Sequence, residues 1–435
     1  MVELSGWARL RSRKTWKKHQ KALTWIGISL GIVGFLLYLA QDPATIRVES
    51  PVAASDPQFP DYVASLVGAP VQLGDAYTVL HNGDEAFPAM LAAIDNAKTR
   101  VAFETYAFKD DEIGSRFIEA MARAAERGVF VRIVLDPVGS AVKQESEDRL
   151  KAAGANLAWF NSLGFFSLEE VNYRTHRKTL VVDGDVAFTG GMGVSDQWQG
   201  HAQDKEHWRD THFRITGPAV RALEGSFYEN WIETGGLSAP ALDPPLPPRP
   251  TGARSLVVWS NPMAGASNIK LQYLLAIGAA RKTIDIQSPY ITLDPSTQWS
   301  LDRARERGVR IRMLAEGDVT DAMPVKHASR YDYQRLLEKG MEIFEYQPTM
   351  MHTKAMIVDG IFSIIGSANF GNRSFELNDE LTIGVYDPEL AAQLTSDFET
   401  DLRASKRLDA QTWPKQRSFD GKINEWFWDF FGEIF

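Results

Sequence analysis

Beyond residue 70 the apolar positions switch repeatedly between two periods. The runs VAFETYAF (101–108) and VFVRIVLD (129–136) are short, nearly continuous and rich in β-branched and aromatic residues, the signature of buried strands. FPAMLAAIDNA (87–97) and IGSRFIEAMARAAERG (113–128) instead repeat at helical spacing, the second closing on Gly128. DTHFRITGPAVRALEGSFYENWIETG (210–235) adds a further strand and helix. After residue 252 the rhythm restarts in the same order. LLAIGAARKTIDIQSPY (274–290) echoes MLAAIDNAKTRVAFETY (90–106), and ARERGVRIRMLAEG (304–317) echoes AAERGVFVRIVLD (124–136). Such self-similarity marks an internal duplication, and alternating strands and helices predict an α/β fold with helices covering the sheet faces.

Three other stretches set the boundaries. Residues 22–41 carry no charge between Lys21 and Asp42, and twenty residues at about 1.5 Å each match a bilayer core. Tyr38-Leu39-Ala40 is a poor cleavage site, which favours an uncleaved anchor over a signal peptide. Residues 239–251 contain six prolines and read as a semi-rigid linker. The tail GKINEWFWDFFGEIF places Ile423, Trp426, Phe427, Phe430, Phe431 and Ile434 at helical spacing, opposite Asn424, Glu425, Asp429 and Glu433. It suits either a membrane interface or docking on the body or a second subunit. The expected organisation is therefore a basic N-terminus and anchor (1–45), a proline-containing connector (46–71), a first domain (72–238), a linker (239–252), a second domain (253–405) and an aromatic tail (406–435).

The chemistry lies in a repeated motif. THRKTLVVDGDVAFTGG holds His176, Lys178, Asp183 and Gly190; HTKAMIVDGIFSIIGS holds His352, Lys354, Asp359 and Gly366 at identical spacing. Each Asp-Gly between apolar runs predicts a tight hairpin. Residues two apart on a strand share a face, so each histidine and lysine point the same way. An imidazole beside an ammonium suits attack on a phosphate, one group reacting while the other holds the anion. Two such halves naturally face one another across a single cleft.

Composition narrows the chemistry. The chain has no cysteine, which excludes thiol catalysis, disulfides and cysteine-ligated zinc. Residues 1–21 hold seven Lys or Arg against Glu3, a net of +6, so the remainder carries −15 of the overall −9. An acidic body is a poor platform for nucleic acid, and none is expected as a partner. The basic flank precedes the 22–41 span and Asp42, Glu49, Asp56 and Asp61 follow it, so the positive-inside rule puts the N-terminus in the cytoplasm and the body outside. His201, His207 and His212 with Asp204 and Asp210 match no familiar metal-ligand spacing.

The paired H-x-K-x4-D motifs, together with VAFETYAFKDDEIG, RGVFVRIVLDPVGS, GPAVRALEGSFYENW, LLEKGMEIFEYQPTMMHTK and GSANFGNRSFELNDE, resemble the phospholipase D superfamily and within it the bacterial cardiolipin synthase branch, over roughly residues 75–405. The resemblance implies two duplicated phospholipase D-like α/β domains related by a pseudo-twofold axis, here preceded by the N-terminal transmembrane helix. It implies a catalytic set of His176, Lys178, Asp183, His352, Lys354 and Asp359, with His176 attacking phosphorus to give a phosphohistidine and His352 as acid and base. The aspartates would position strands and lysines without transferring protons. Glu380 would orient His176 and Asp210 would orient His352, each from the opposite half, and Ser367 and Asn369 would bind phosphate. No metal or organic cofactor is implied; the partners would be phospholipids, phosphatidylglycerol among them, and the membrane. Gly193 and Thr175 depart from the asparagines usual at those places in the family. Phe165 and Phe166 would touch lipid at the cleft mouth or simply pack.

The expected activity is phosphatidyl transfer of cardiolipin synthase type. Its rivals are a phospholipase D that uses water, a membrane-tethered nuclease, and a catalytically silent lipid-binding scaffold.

Overall fold

β-Branched and aromatic runs become strands because their side chains pack best on a pleated, buried surface. The computed structural model describes residues 45–161, 172–236, 251–262 and 268–429, with isolated positions 24, 27, 29, 247 and 249. The chain divides into two units, Met1–Ile46 and Arg47–Phe435, and the second holds every described strand. Its first half supplies β1 (Gln72–His81), β2 (Arg100–Thr105), β3 (Phe130–Leu135), β4 (Asn156–Trp159), β5 (Lys178–Val182), β6 (Val186–Gly190) and β7 (Thr211–Thr216). The second supplies β8 (Ala253–Trp259), β9 (Thr283–Gln287), β10 (Ile291–Thr292), β11 (Arg310–Glu316), β12 (Glu342–Tyr346), β13 (Ala355–Val358), β14 (Phe362–Gly366), β15 (Phe370–Gly371), β16 (Leu381–Tyr386) and β17 (Ser405–Arg407).

All but β10 and β15 join one sheet, in the order β17-β12-β11-β9-β13-β14-β16-β8-β1-β7-β6-β5-β2-β3-β4. Read outward from the β8–β1 junction, the halves have the same topology: β1-β7-β6-β5-β2-β3-β4 matches β8-β16-β14-β13-β9-β11-β12. The junction is antiparallel, Gln72 facing Ser255 and Asp75 facing Ala253. Duplication has therefore produced one continuous sheet. One shared core binds it, in which Val220, Leu223 and Phe227 of the helix Ala219–Glu233 and Leu390, Ala391 and Leu394 of the helix Pro388–Arg403 cover strands of both halves. The other sheet face is covered separately in each half.

The expected connector does more than connect. Phe59–Val67 is a helix with proline in its first turn, and Phe59, Val63 and Val67 are buried in the second half's core, Phe59 edge-on to Phe362 with ring centroids 5.0 Å apart. The 22–41 span falls almost wholly outside the described residues, Phe165 and Phe166 lie outside them, and most of the proline linker does too. Among those described, no helix is long and apolar enough to cross a membrane. In the tail, Phe419–Asp429 is a helix packed on the helix Met323–Glu338. It turns Glu425 inward to pair with Arg417 and leaves Ile423, Trp426 and Phe427 outward.

The two motif aspartates sit at hairpin tips, at φ +56° for Asp183 and +53° for Asp359. Asp183 accepts from the backbone N–H groups of Lys98, Thr99 and Arg100; Asp359 accepts from those of Arg281, Lys282 and Thr283. Each carboxylate therefore pins its hairpin to the start of the neighbouring strand, β2 or β9. Asp359→Ala should lower stability by about 1–3 kcal/mol, the cost of stranding such donors. Thermal unfolding against activity per folded molecule checks this; an unchanged melting temperature with lost turnover would instead give the aspartate a chemical role.

Candidate active site

Each histidine lies on the extended lead-in to a central strand, two residues before its lysine. That lead-in is paired across the halves. His176 N–H donates to Asp379 O at 2.8 Å and Asp379 N–H to Arg174 O at 2.9 Å; His352 N–H donates to Arg209 O at 2.7 Å and Arg209 N–H to Met350 O at 2.9 Å. Asp379 and Arg209, the acceptors for the two histidines, are each followed by an acid, so the register delivers a carboxylate from one half to the imidazole of the other. Glu380 Oε1 lies 2.8 Å from His176 Nδ1, and Asp210 Oδ2 lies 2.8 Å from His352 Nδ1.

The motif glycines make this approach possible. A Cβ on Gly190 would stand 2.7 Å from Thr211 O, and one on Gly366 would collide with Leu381 O. Both glycines also hold positive φ, 151° and 147°. Any side chain there would push away the strand that starts beside each acid.

Both acids are fully buried and fully used. Glu380 accepts from His176, from Ser374 Oγ at 2.6 Å and from Ser367 Oγ. Asp210 accepts from His352, from Trp198 Nε1 at 2.9 Å and from the Thr211 backbone at 2.7 Å. Against burial, which pushes it up, His176, Lys178 and Ser367 hold the Glu380 carboxyl down at about 2. Asp210 is likewise held low, by His352 and Lys354 acting against burial. Burial, reinforced by the Lys178 charge, lowers His176 to about 4 despite Glu380; burial and Lys354 lower His352 as well. With Nδ1–H donating to the Glu380 carboxylate, a neutral His176 turns the Nε2 lone pair outward. Such a nitrogen is a nucleophile.

Between the histidines opens a cleft of about 540 Å³. His176, Lys178, His352 and Asn369 line it. Lys178 Nζ donates to His176 O at 2.9 Å and Lys354 Nζ to His352 O at 2.6 Å, so each ammonium is held beside its own imidazole. Burial lowers Lys178 to about 8, and burial together with the Lys178 charge lowers Lys354 to about 7. A phosphate entering the cleft would relieve this repulsion and favour both charged forms.

Ser367 is buried with its hydroxyl donating to Glu380, and it is not among the residues that line the cleft. Asp183 and Asp359, included in the catalytic set, stand at the hairpin tips and line no part of the cleft. Gly193 has no room for the family's asparagine, since a Cβ would meet Ala107 O at 2.7 Å and the Trp198 ring at 3.0 Å. Thr175 instead donates from its hydroxyl to buried Glu104 at 2.6 Å. His201 pairs with Asp84, His207 with Asp204, and His212 is buried alone; among the described residues no cluster of three or more such groups is placed to hold a metal.

Sequence reasoning missed the aromatic wall. Tyr106 lies against His176, ring centroids 5.2 Å apart, and Trp198 and Trp208 lie against His352 at 5.5 and 5.4 Å. These rings exclude water from the imidazoles, which accounts for the dominance of burial in both histidine shifts. Tyr106 directly follows β2, whereas Trp198 and Trp208 lie between β6 and β7, where no periodicity marks them.

The duplicated sheet brings one histidine from each half, with Lys178, to a single cleft. It superimposes on a phosphatidylserine synthase from Haemophilus influenzae Rd KW20 with a TM-score of 0.68 at 15% identity, covering 86% of this chain and all of that one, a likeness of fold. Residues 90–208 and 273–402 match the family described as cardiolipin synthase, PLD-like domain. Cardiolipin synthase 1 of Bacillus anthracis is 31% identical over 393 residues, 88% of this chain and 77% of its own. The cardiolipin synthase of Geobacillus kaustophilus is 31% identical over 442 residues, 94% of this chain and 88% of its own. The chain belongs to the cardiolipin synthase family of phospholipase D-like proteins.

Histidine-selective NMR should find His176 uncharged down to about pH 4 and protonated on Nδ1 above it. A lowered pKa means the cation forms only below that value. A midpoint near the ordinary 6.5 would show a wetter cleft than described here.

Proposed function

We propose that the protein is a phosphatidyltransferase of cardiolipin synthase type, acting through a phosphohistidine on His176. The observation that carries this reading is the neutral, carboxylate-held imidazole of His176 facing His352 across a cleft lined by Lys178, in a chain of this family. His176 Nε2 attacks the phosphorus of a donor phospholipid. The N–P bond forms as the bond to the headgroup oxygen breaks, and His352 gives its proton to the departing alkoxide. The phosphate's own negative charge favours the protonated His352 needed for this step. The hydroxyl of phosphatidylglycerol then gives its proton to His352 and takes the phosphatidyl group, which frees His176. Lys178 and Lys354 stabilise charge on the non-bridging oxygens, with Asn369 beside them. Tyr106, Trp198 and Trp208 keep the cleft dry, which favours a lipid alcohol over water as acceptor.

Purified protein in mixed micelles of phosphatidylglycerol and phosphatidylethanolamine should yield cardiolipin by mass spectrometry, and His176→Ala should yield none. Phosphatidic acid alone from the wild type would make the protein a hydrolase. Undiminished product from the alanine variant would end the covalent mechanism.

Residues 22–41 serve as a membrane anchor with the N-terminus in the cytoplasm and the catalytic body outside; the uncharged stretch and its basic flank support this. Because the chain lacks cysteine, one introduced on the surface of the body is a clean reporter. A membrane-impermeant maleimide should label it on intact spheroplasts, whereas labelling only after lysis would reverse the orientation.

A further inference from the structure

A cleft that takes phosphate suits cations and neutral donors, and Lys178, His176 and His352 line this one accordingly. Asp321 is the exception, the one carboxylate among the described lining residues. An acid in that wall repels the phosphate the cleft must take, and charges act strongly where water is scarce. The repulsion is offset where another part of the substrate carries positive charge.

Asp321 lies in the loop between β11 and the helix Met323–Glu338, and Ala322 and Val325 just after it line the cleft too. The matching loop of the first half, after β3, brings Gly139 to the wall and no acid, so the two halves differ here. The Tyr290 hydroxyl donates to Asp321 Oδ1, which steadies the carboxylate and leaves Oδ2 open. The side chain is exposed to the cleft, and among the described residues no cation is ion-paired with it. Its charge is felt by His352 and Lys354, so it stands near the imidazole that protonates the leaving group. Rings make up much of the remaining wall: Tyr106, Trp198, Trp208 and Tyr290. Aromatic faces attract cations, and a carboxylate adds hydrogen bonds and opposite charge. Together they suit an ammonium group better than a neutral polyol, which gains only from the carboxylate.

We propose that Asp321, steadied by Tyr290, forms a headgroup subsite that binds the ammonium of an aminophospholipid, so that the phosphatidyl donor is a lipid of the ethanolamine class. The subsite rests on the phosphatidyltransferase reading and supplies the donor for it. With the donor's phosphorus at His176, the headgroup oxygen faces His352 and the ammonium two carbons further on meets Asp321. The His176 N–P bond forms as the P–O bond to the headgroup breaks. His352 gives its proton to the leaving oxygen, and ethanolamine departs still carrying its ammonium charge. The acceptor's hydroxyl enters once the amine has left. A primary ammonium brings three N–H donors to the carboxylate. A glycerol headgroup offers hydroxyls without charge, and a trimethylated amine has no N–H to give.

Acyl labels tell the donors apart. Full-chain protein is given micelles of phosphatidylethanolamine with deuterated acyl chains and an equal amount of unlabelled phosphatidylglycerol. Mass spectrometry of the cardiolipin then reports where each phosphatidyl group came from. Wild type should give chiefly half-labelled cardiolipin, with ethanolamine released. In Asp321→Asn the ratio of half-labelled to unlabelled cardiolipin should fall at least roughly tenfold, the factor equivalent to about 1.4 kcal/mol. Tyr290→Phe keeps the carboxylate but frees it to turn, and should give an intermediate ratio. If the asparagine variant does not fold, the phenylalanine variant decides alone. Unlabelled cardiolipin alone from the wild type, a ratio unchanged in Asp321→Asn, or a parallel fall in both products would overturn the subsite. A wild-type protein that makes no cardiolipin of either kind would overturn the transferase reading itself.

Discussion

The site depends on a reciprocal exchange between the two halves. Each half lends its acid to the other's histidine, and short backbone bridges at 174–176 with 379 and at 350–352 with 209 set the register that makes this possible. A one-residue slip in either bridge would turn the acid to the wrong side of the strand. The exchange needs a rigid platform, which the antiparallel β1–β8 junction and the shared core beneath the helices Ala219–Glu233 and Pro388–Arg403 supply. The motif glycines complete the arrangement by giving up their side chains where the acid-bearing strands pass.

The electrostatics follow from that geometry. Four titratable groups of the motifs lie in a place that water hardly reaches, and burial pushes every one of them towards neutrality. Two carboxylates stay ionised only because each is surrounded by donors. The result is a cleft with neutral imidazoles, weakened lysines and fixed negative charge behind them. Such an arrangement stores its response for an incoming anion, whose arrival favours lysine charge and histidine protonation together.

Much of this was legible in the sequence, and the limits have physical causes. The strand-by-strand duplication was visible because buried strands write their apolar runs locally, and the histidine–lysine pairs because a two-residue spacing fixes a shared face. The partners Glu380 and Asp210 came through family resemblance, since nothing local tells which half an acid serves. The helix Phe59–Val67 was hidden because Pro60 reads as a connector signal, although proline is equally at home in a helix's first turn. Ser367 looked like a phosphate donor because it sits in the motif; only its contacts show that its hydroxyl faces Glu380. Trp198 carried no signal at all, being one tryptophan in a polar loop, and its role depends on a fold that brings Asp210 to its indole.

The order of the strands along the chain also bears on when this protein becomes reactive. As the polypeptide leaves the ribosome, His176 emerges with the first seven strands, but the acid that orients it arrives only at residue 380, after most of the second sheet. Until then the imidazole has no carboxylate to fix its tautomer, and Lys178 has no facing partner. A chain that stops short of residue 380 lacks the carboxylate that holds the His176 imidazole. Interleaving the two copies thus delays assembly of the site until both halves have been translated.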